Sequence, residues 1–348
     1  IIKGEQGIEV NVEDSIAAIE NYISSEWDGG NAEIELVAEV VEPRGSEEDL
    51  EQITDMMGSY TTNYKDSGQN RCDNISNATS KINGTLLYPG EEFSVYEAIG
   101  PLDAANGYEL AGAYENGQTV ESYGGGVCQV STTLYNAVIL AELEITQRSN
   151  HSMIVSYVKP SMDAAIAGDY KDLRFVNNQD IPIYIEGYTE GKNVTFKIYG
   201  HDTRPSNRVV TYESEVVSEQ DPGTQYVATG DPAGYMKTAQ GKHIGYVARL
   251  WKVVTVDGVE ESREIFNKST YKASPKIVNV GTASADPNVS AVIGAALATG
   301  DEATINAAVA PYAASAAAIL NPAPVEQPSQ EEQAITGTVN ESQITGGE

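Results

Sequence analysis

The chain has 348 residues, with 51 acids against 21 bases and a formal charge of −30. A surface of that sign repels a phosphate backbone, an anionic membrane and an anionic wall polymer alike. Nucleic acid and a bare membrane surface are therefore not expected partners, and any wall contact has to be specific. Two cysteines cannot build a disulfide framework, and the length leaves room for two or three cored domains.

The chain begins at Ile1, with no signal-peptide pattern and no apolar run that reads as long enough to span a membrane. The expectation is a protein whose N-terminal anchor is missing from this stretch. Residues 11–22 predict a helix capped by Asn11, with Ile16, Ile19 and Ile23 at helical spacing. Ile34, Leu36, Ala38 and Val40 then alternate as a strand does until Pro43, and residues 46–49 open a second helix with a capping-box-like start. Residues 70–83 suit a helix with Cys72, Ile75, Ala78 and Ile82 on one face. Pro89-Gly90 and Asn116-Gly117 mark turns, and "IPIYIEGY" with "NVTFKIYG" predicts a hairpin closed at Gly191-Lys192. From residue 208 to 282 the pattern is strand-rich, with a turn at Asp257-Gly258. The remainder, from Ala283, holds eight acids, no bases and one aromatic residue, Tyr312, and is expected to be mostly mobile.

The stretch "GGGVCQVSTTLY", residues 124–135, carries the chemistry. Val130, Leu134, Ala137, Val138 and Ala141 form an apolar stripe at helical period, which places Cys128 in a first helical turn. Unpaired N–H groups and the positive end of the helix dipole favour a thiolate there. Glycines before it allow close backbone approach and offer N–H donors for an oxyanion. The plainer alternative is a small buried cysteine behind a glycine turn. Of the three histidines, His243 is remote in sequence and His201 sits in an exposed turn. His151, after the cysteine helix, is the candidate base.

"KINGTLLYPGEEFS", "GGGVCQVSTTLYNA", "RSNHSMIVSY" and "DLRFVNN", in this order, resemble the VanW domain family. The segment before them resembles the end of a peptidoglycan-binding domain, and the segment ending "YKASPKIVNVGT" resembles a G-five domain. The resemblance implies an α+β chain in four parts. These are residues 1–57 (the end of the peptidoglycan-binding domain), 58–203 (VanW-like), 204–282 (a G-five-like β module) and 283–348 (a mostly disordered Ala/Pro-rich acidic tail). It further implies an extracellular or cell-envelope protein of Gram-positive type, linked to vancomycin resistance, whose partner is the peptidoglycan stem peptide. On this reading Cys128 and His151 are the catalytic pair of an L,D-transpeptidase or related carboxypeptidase. Gly124, Gly125, Gly126, Gln129, Ser131, Asp163 and Asp172 are the candidate oxyanion and substrate contacts. Either acid could instead orient a histidine, or simply be solvated. Cys72 is read as core. No metal or cofactor is expected. A non-catalytic wall-binding module, or a spacer, remains the alternative, because catalyst and binder need the same cleft.

Overall fold

The computed structural model describes residues 7–41, 47–115, 118–168 and 170–320. It divides into two units, Ile1–Pro222 with His243–Ser274, and Gly223–Lys242 with Pro275–Glu348.

In the first unit, strands β1 (Gly7–Val10) and β2 (Ala38–Val41) pair antiparallel around helix α1 (Val12–Ser25). Asn11 caps α1 by accepting the Asp14 N–H, as its short polar side chain predicts. The predicted strand is shortened, because only Ala38 to Val41 find partners in β1, and Ile34 and Leu36 precede it. Helix α2 (Glu47–Glu51) follows; Pro43 and Ser46 lie outside the described residues.

Then come β3 (Asp55–Asn63), α3 (Gln69–Ile82), β4 (Thr85–Leu87), β5 (Glu92–Ser94), α4 (Val95–Ile99), β6 (Leu110–Glu115) and β7 (Gln118–Tyr123). They are followed by α5 (Val127–Leu140), β8 (Glu144–Gln147), β9 (Arg174–Val176), β10 (Ile183–Glu190) and β11 (Asn193–Gly200). One antiparallel sheet is ordered β3-β11-β10-β4, a smaller one β5-β9-β8, and β6 pairs with β7. The turn pair Asn116-Gly117 lies outside the described residues. Gly191 and Lys192 close the β10–β11 hairpin at φ 55° and 59°, a turn whose twist matches that of the strands.

Helix α5 lies across β3 and β11 and beside α3. The stripe predicted an amphipathic helix, yet twelve of its fourteen residues are buried, so it is the central core helix. Its polar side chains are buried and mostly bonded, the Ser131 hydroxyl and Asn136 Oδ1 excepted. Thr132 bonds both ways with the backbone of Ala164, and Asn136 donates to the Met162 carbonyl. These bonds hold residues 162–166 along the helix.

The strand-rich region supplies β12 (Arg208–Gln220), β13 (Thr224–Pro232), β14 (Met236–Gln240), β15 (Gly245–Val256), β16 (Val259–Tyr271) and β17 (Lys276–Ala283). Strands β12, β15 and β16 form one antiparallel sheet in the first unit, turning at Asp257-Gly258. In the second unit β17 lies between β13, to which it is parallel, and β14, to which it is antiparallel. The β module expected over residues 204–282 is thus shared between the two units.

The expected mobile tail is corrected over its first half. Residues beyond Ala283 form α6 (Pro287–Thr299), α7 (Glu302–Val309) and α8 (Ala313–Leu320). Asp286 and Asp301 cap the first two. Ile293, Ala296, Ile305 and Val309 are buried with Val278 and Val280 of β17. Alanine-rich helices carry few large side chains, but their small ones allow close packing, which a count of aromatics overlooks. Glu302–Leu320, a helical run of 19 residues with mean hydropathy 1.4, is by length and composition apolar enough to cross a membrane. This corrects the reading that no such run exists. Residues 321–348 lie outside the described ones.

Candidate active site

The site is built at the start of α5. Gly124 and Gly126 adopt φ of +75° and +116°, and a Cβ on Gly125 would come within 2.6 Å of the Ala111 carbonyl oxygen. The glycines are therefore needed to fold the turn against its own hairpin. Two of them cannot serve as expected. The Gly124 and Gly125 N–H groups are already bonded to the carbonyls of Glu109 and Ser122. The Val127 and Gln129 N–H groups likewise donate within the turn. Among the described residues, those of Gly126 and Cys128 have no acceptor, which fits the unpaired donors of a helix start.

Cys128 is partly buried, and the Ile166 backbone brackets its sulfur, N–H and carbonyl each at 3.4 Å. The His151 imidazole stands near enough to the thiol to act on its charge, while the hydrogen bonds of the sulfur itself go to the Ile166 backbone. Its other side is fixed, with Nδ1 2.7 Å from Oδ2 of Asp163, an oxygen that also accepts the His151 backbone N–H at 2.7 Å. The second oxygen, Oδ1, accepts from Arg148 Nη2 at 3.0 Å and from the Tyr271 hydroxyl at 2.5 Å. Asp163 is fully buried and His151 nearly so. The fully buried carboxylate thus has four donors, two on each oxygen, which fills its accepting capacity.

This geometry sets the charges. Burial pushes the Cys128 thiol up, but the neighbouring His151 imidazole outweighs it and holds the thiol below its ordinary value. Burial works against the imidazolium too, yet Asp163 and Cys128 raise His151 to about 9. Asp163 is held low despite burial, by His151 and then by Arg148. The arrangement is a thiol held below its ordinary value beside an imidazole raised above its own, with the imidazole anchored by a carboxylate. Such a site can deliver a nucleophile and return a proton to a leaving group.

Two other expected site residues, Gln129 and Asp172, have their side chains engaged elsewhere. Gln129 is buried and fully engaged, donating to Thr62 and Asn63 and accepting from Arg71. One residue along a helix turns about 100°, so it ties α5 to β3 and α3 instead. Ser131 is buried, and its hydroxyl has no partner among the described residues. Asp172 is buried, but it accepts from Ser94, the Tyr96 and Leu173 N–H groups and Arg174, pinning β5 and α4 to β9. Of the roles weighed for Asp163 (substrate contact, histidine-orienting acid or solvated acid), the structure has it bonded to His151. Cys72 packs beside the main core, as expected. His201 is half exposed, 3.6 Å from Asp55, and His243 bridges to Ser274.

Three side chains around the site were not singled out in the sequence. Arg148 stands three residues before His151 inside "RSNHS", so its signal was present. Tyr157 sets its ring edge-on to His151 at 6.4 Å. Tyr271 ends β16, and only alternation along that strand hinted at a buried face.

The family model described as VanW like protein matches residues 70–199, and that described as G5 domain matches residues 211–283. The chain is 34% identical over 187 residues to "Uncharacterized protein YoaR" of Bacillus subtilis, covering 53% of this chain and 62% of that protein. It is 30% identical over 118 residues to "Vancomycin B-type resistance protein VanW" of Enterococcus faecalis, covering 32% of this chain and 42% of that one. Less than two thirds of either relative is therefore spanned. Among solved structures, "IgA1 Protease G5 domain structure" is 26% identical over 22% of this chain and 94% of that one, with a TM-score of 0.17. The matched families start at residue 70, so the peptidoglycan-binding reading of residues 1–57 rests on sequence resemblance alone.

Proposed function

For a chain that carries a VanW-like domain followed by a G5 domain, we propose a cell-envelope enzyme that transfers acyl groups of peptidoglycan stem peptides through Cys128. Both domain families are associated with the cell wall, which supports the location and the kind of partner. The observation that carries the chemistry is the buried His151–Asp163 pair next to the Cys128 thiol, whose backbone N–H is unspent at a helix start.

In the proposed reaction the Cys128 thiolate attacks the carbonyl of the third stem residue. The N–H groups of Gly126 and Cys128 stabilise the oxyanion. The intermediate collapses, the carbon–nitrogen bond to the terminal D-alanine breaks, and His151 protonates the departing amine. The thioester then passes its acyl group to the side-chain amine of a neighbouring stem, giving a 3-3 crosslink, or to water, giving a tripeptide. In either case the nucleophile's proton returns to His151 and the thiolate is restored. Asp163 keeps the imidazole oriented throughout and balances its charge.

A second reading, a non-catalytic wall-binding module, is favoured by one observation: Ile166 brackets the sulfur on two sides. Incubation with a disaccharide-tetrapeptide separates the two. The enzyme releases D-alanine and, trapped early, carries an acyl adduct on Cys128 seen by mass. Cys128→Ala lowers release by more than about a thousandfold while leaving the fold intact. Binding without adduct or release, with the thiol shown to be reduced, would establish the binding module instead.

A further inference from the structure

The residues that hold the candidate site from outside come from one face of a single strand. Along β16, Asn267, Ser269 and Tyr271 alternate, so they share a face. Asn267 donates to the Tyr135 hydroxyl on α5 at 2.7 Å and to the Ser161 carbonyl at 3.1 Å. Ser269 accepts from Arg148 Nη1 at 2.9 Å, and the same guanidinium reaches Asp163 through Nη2. The Tyr271 hydroxyl accepts the Ser161 N–H at 2.7 Å and donates to Asp163 Oδ1. Ser161 itself sits at φ +67°, a left-handed conformation that a serine holds only when its surroundings impose it.

The backbone agrees. Asn150 donates to the Thr270 carbonyl, and the Lys272 N–H donates to the Ser152 carbonyl at 2.7 Å. His151 is thus tied on both flanks to the residues on either side of Tyr271. All of these groups belong to the first unit.

We infer that β16 of the G5 domain is a structural part of the candidate active site, and that Tyr271 is a positioning residue acting on His151 through Asp163. A G5 domain that only bound wall polymer would have no need to spend a buried tyrosine on another domain's carboxylate. The charged and titratable groups facing Asp163 are His151, Arg148, Tyr271, Cys128, Tyr135 and Tyr157. Of these, only Tyr271 comes from outside the VanW-like domain. The inference rests on the catalytic reading of Cys128, but its test does not require that turnover be found.

The test is the pH profile of Cys128 alkylation, measured by mass mapping in wild type, Tyr271→Phe, Ser269→Ala and Asp163→Asn, alongside melting curves. Phenylalanine keeps the ring and removes one hydroxyl. Freed of that donor, Asp163 no longer holds the imidazolium in register with the sulfur. The midpoint for Cys128 should therefore rise in Tyr271→Phe by about half a unit to one unit, in the direction of Asp163→Asn and short of it. Ser269→Ala should move it the same way by less, and keeps the inference testable if the tyrosine variant does not fold. A lowered melting temperature with superimposable profiles in both β16 variants would overturn it, since that is the signature of packing alone. If the profiles shift while neither wild type nor variant releases D-alanine, the positioning inference stands and the peptidoglycan chemistry falls.

Discussion

Helices α3 and α5 are near twins in their first turns. Each has fourteen residues, starts behind a glycine that supplies no side-chain cap, and carries a partly buried cysteine among its first four residues, fourth in α3 and second in α5. They differ in what surrounds the sulfur. Cys72 has its own N–H bonded to Gly68 and its thiol pointed at the Ser67 carbonyl, 3.7 Å away. Cys128 has an unspent N–H and a histidine whose far side is fixed by a buried carboxylate. A helix start behind a glycine is common to both and so does not make a reactive thiol. What sets Cys128 apart is the imidazole across the fold, which holds its thiol below the ordinary value.

That contrast can be broken in the laboratory. With a neutral alkylating reagent at pH 7, Cys128 should label faster than Cys72 by about tenfold or more, because its thiol is held below the ordinary value by His151. Equal labelling, read by peptide mapping, would make the two helix starts equivalent and remove the basis of the site. The next effect is a shift in a profile. His151→Ala should move the pH midpoint for Cys128 up by about one to two units, since a neighbouring cation is lost. Cys72 should not respond, nor should Cys128 respond to His201→Ala.

A smaller effect concerns stability. The folded-state value of His151, about 9, lies above its ordinary 6.5. Its contribution is therefore whole below about 6.5 and is lost as pH rises through about 9. Melting curves of wild type and His151→Gln should show a gap that narrows over that interval; a gap that widened with pH would mean that the imidazole is buried neutral. The smallest effect on the site should come from Ile305→Ala in the second unit. It should cost roughly 2 to 4 kcal/mol of that unit's stability and leave the Cys128 profile where it was.

Much of the local structure was legible. Asn11 announced a cap, Gly191-Lys192 and Asp257-Gly258 announced turns, and the stripe after Cys128 announced a helix. These are short-range signals with one dominant cause each. The site was legible only in part. Cys128 and His151 stood out as residue types, but sequence could not say which of two nearby aspartates would meet the imidazole. Asp163 and Asp172 are both buried, and their roles diverge because the chain carries one to His151 and the other to Ser94 and Arg174. Gln129 was read toward the substrate, but one residue along a helix turns about 100°, and its amide is spent on Thr62, Asn63 and Arg71. The alanine-rich helices were missed because a low count of large apolar residues conceals packing among small ones.

The long reach of β16 also has a consequence for timing. Tyr271 and Asp163 are 108 residues apart in sequence. A chain made or threaded N-terminus first holds its sulfur, imidazole and carboxylate well before the strand that completes them has emerged. Until then the Asp163 carboxylate lacks a donor it has in the finished fold, and burying it short of one costs about 1 to 3 kcal/mol. The incomplete chain therefore has reason to leave that pocket open and wet, and its thiol close to ordinary. If Cys128 works as proposed, topology alone ties the lowering of its thiol to the arrival of β16.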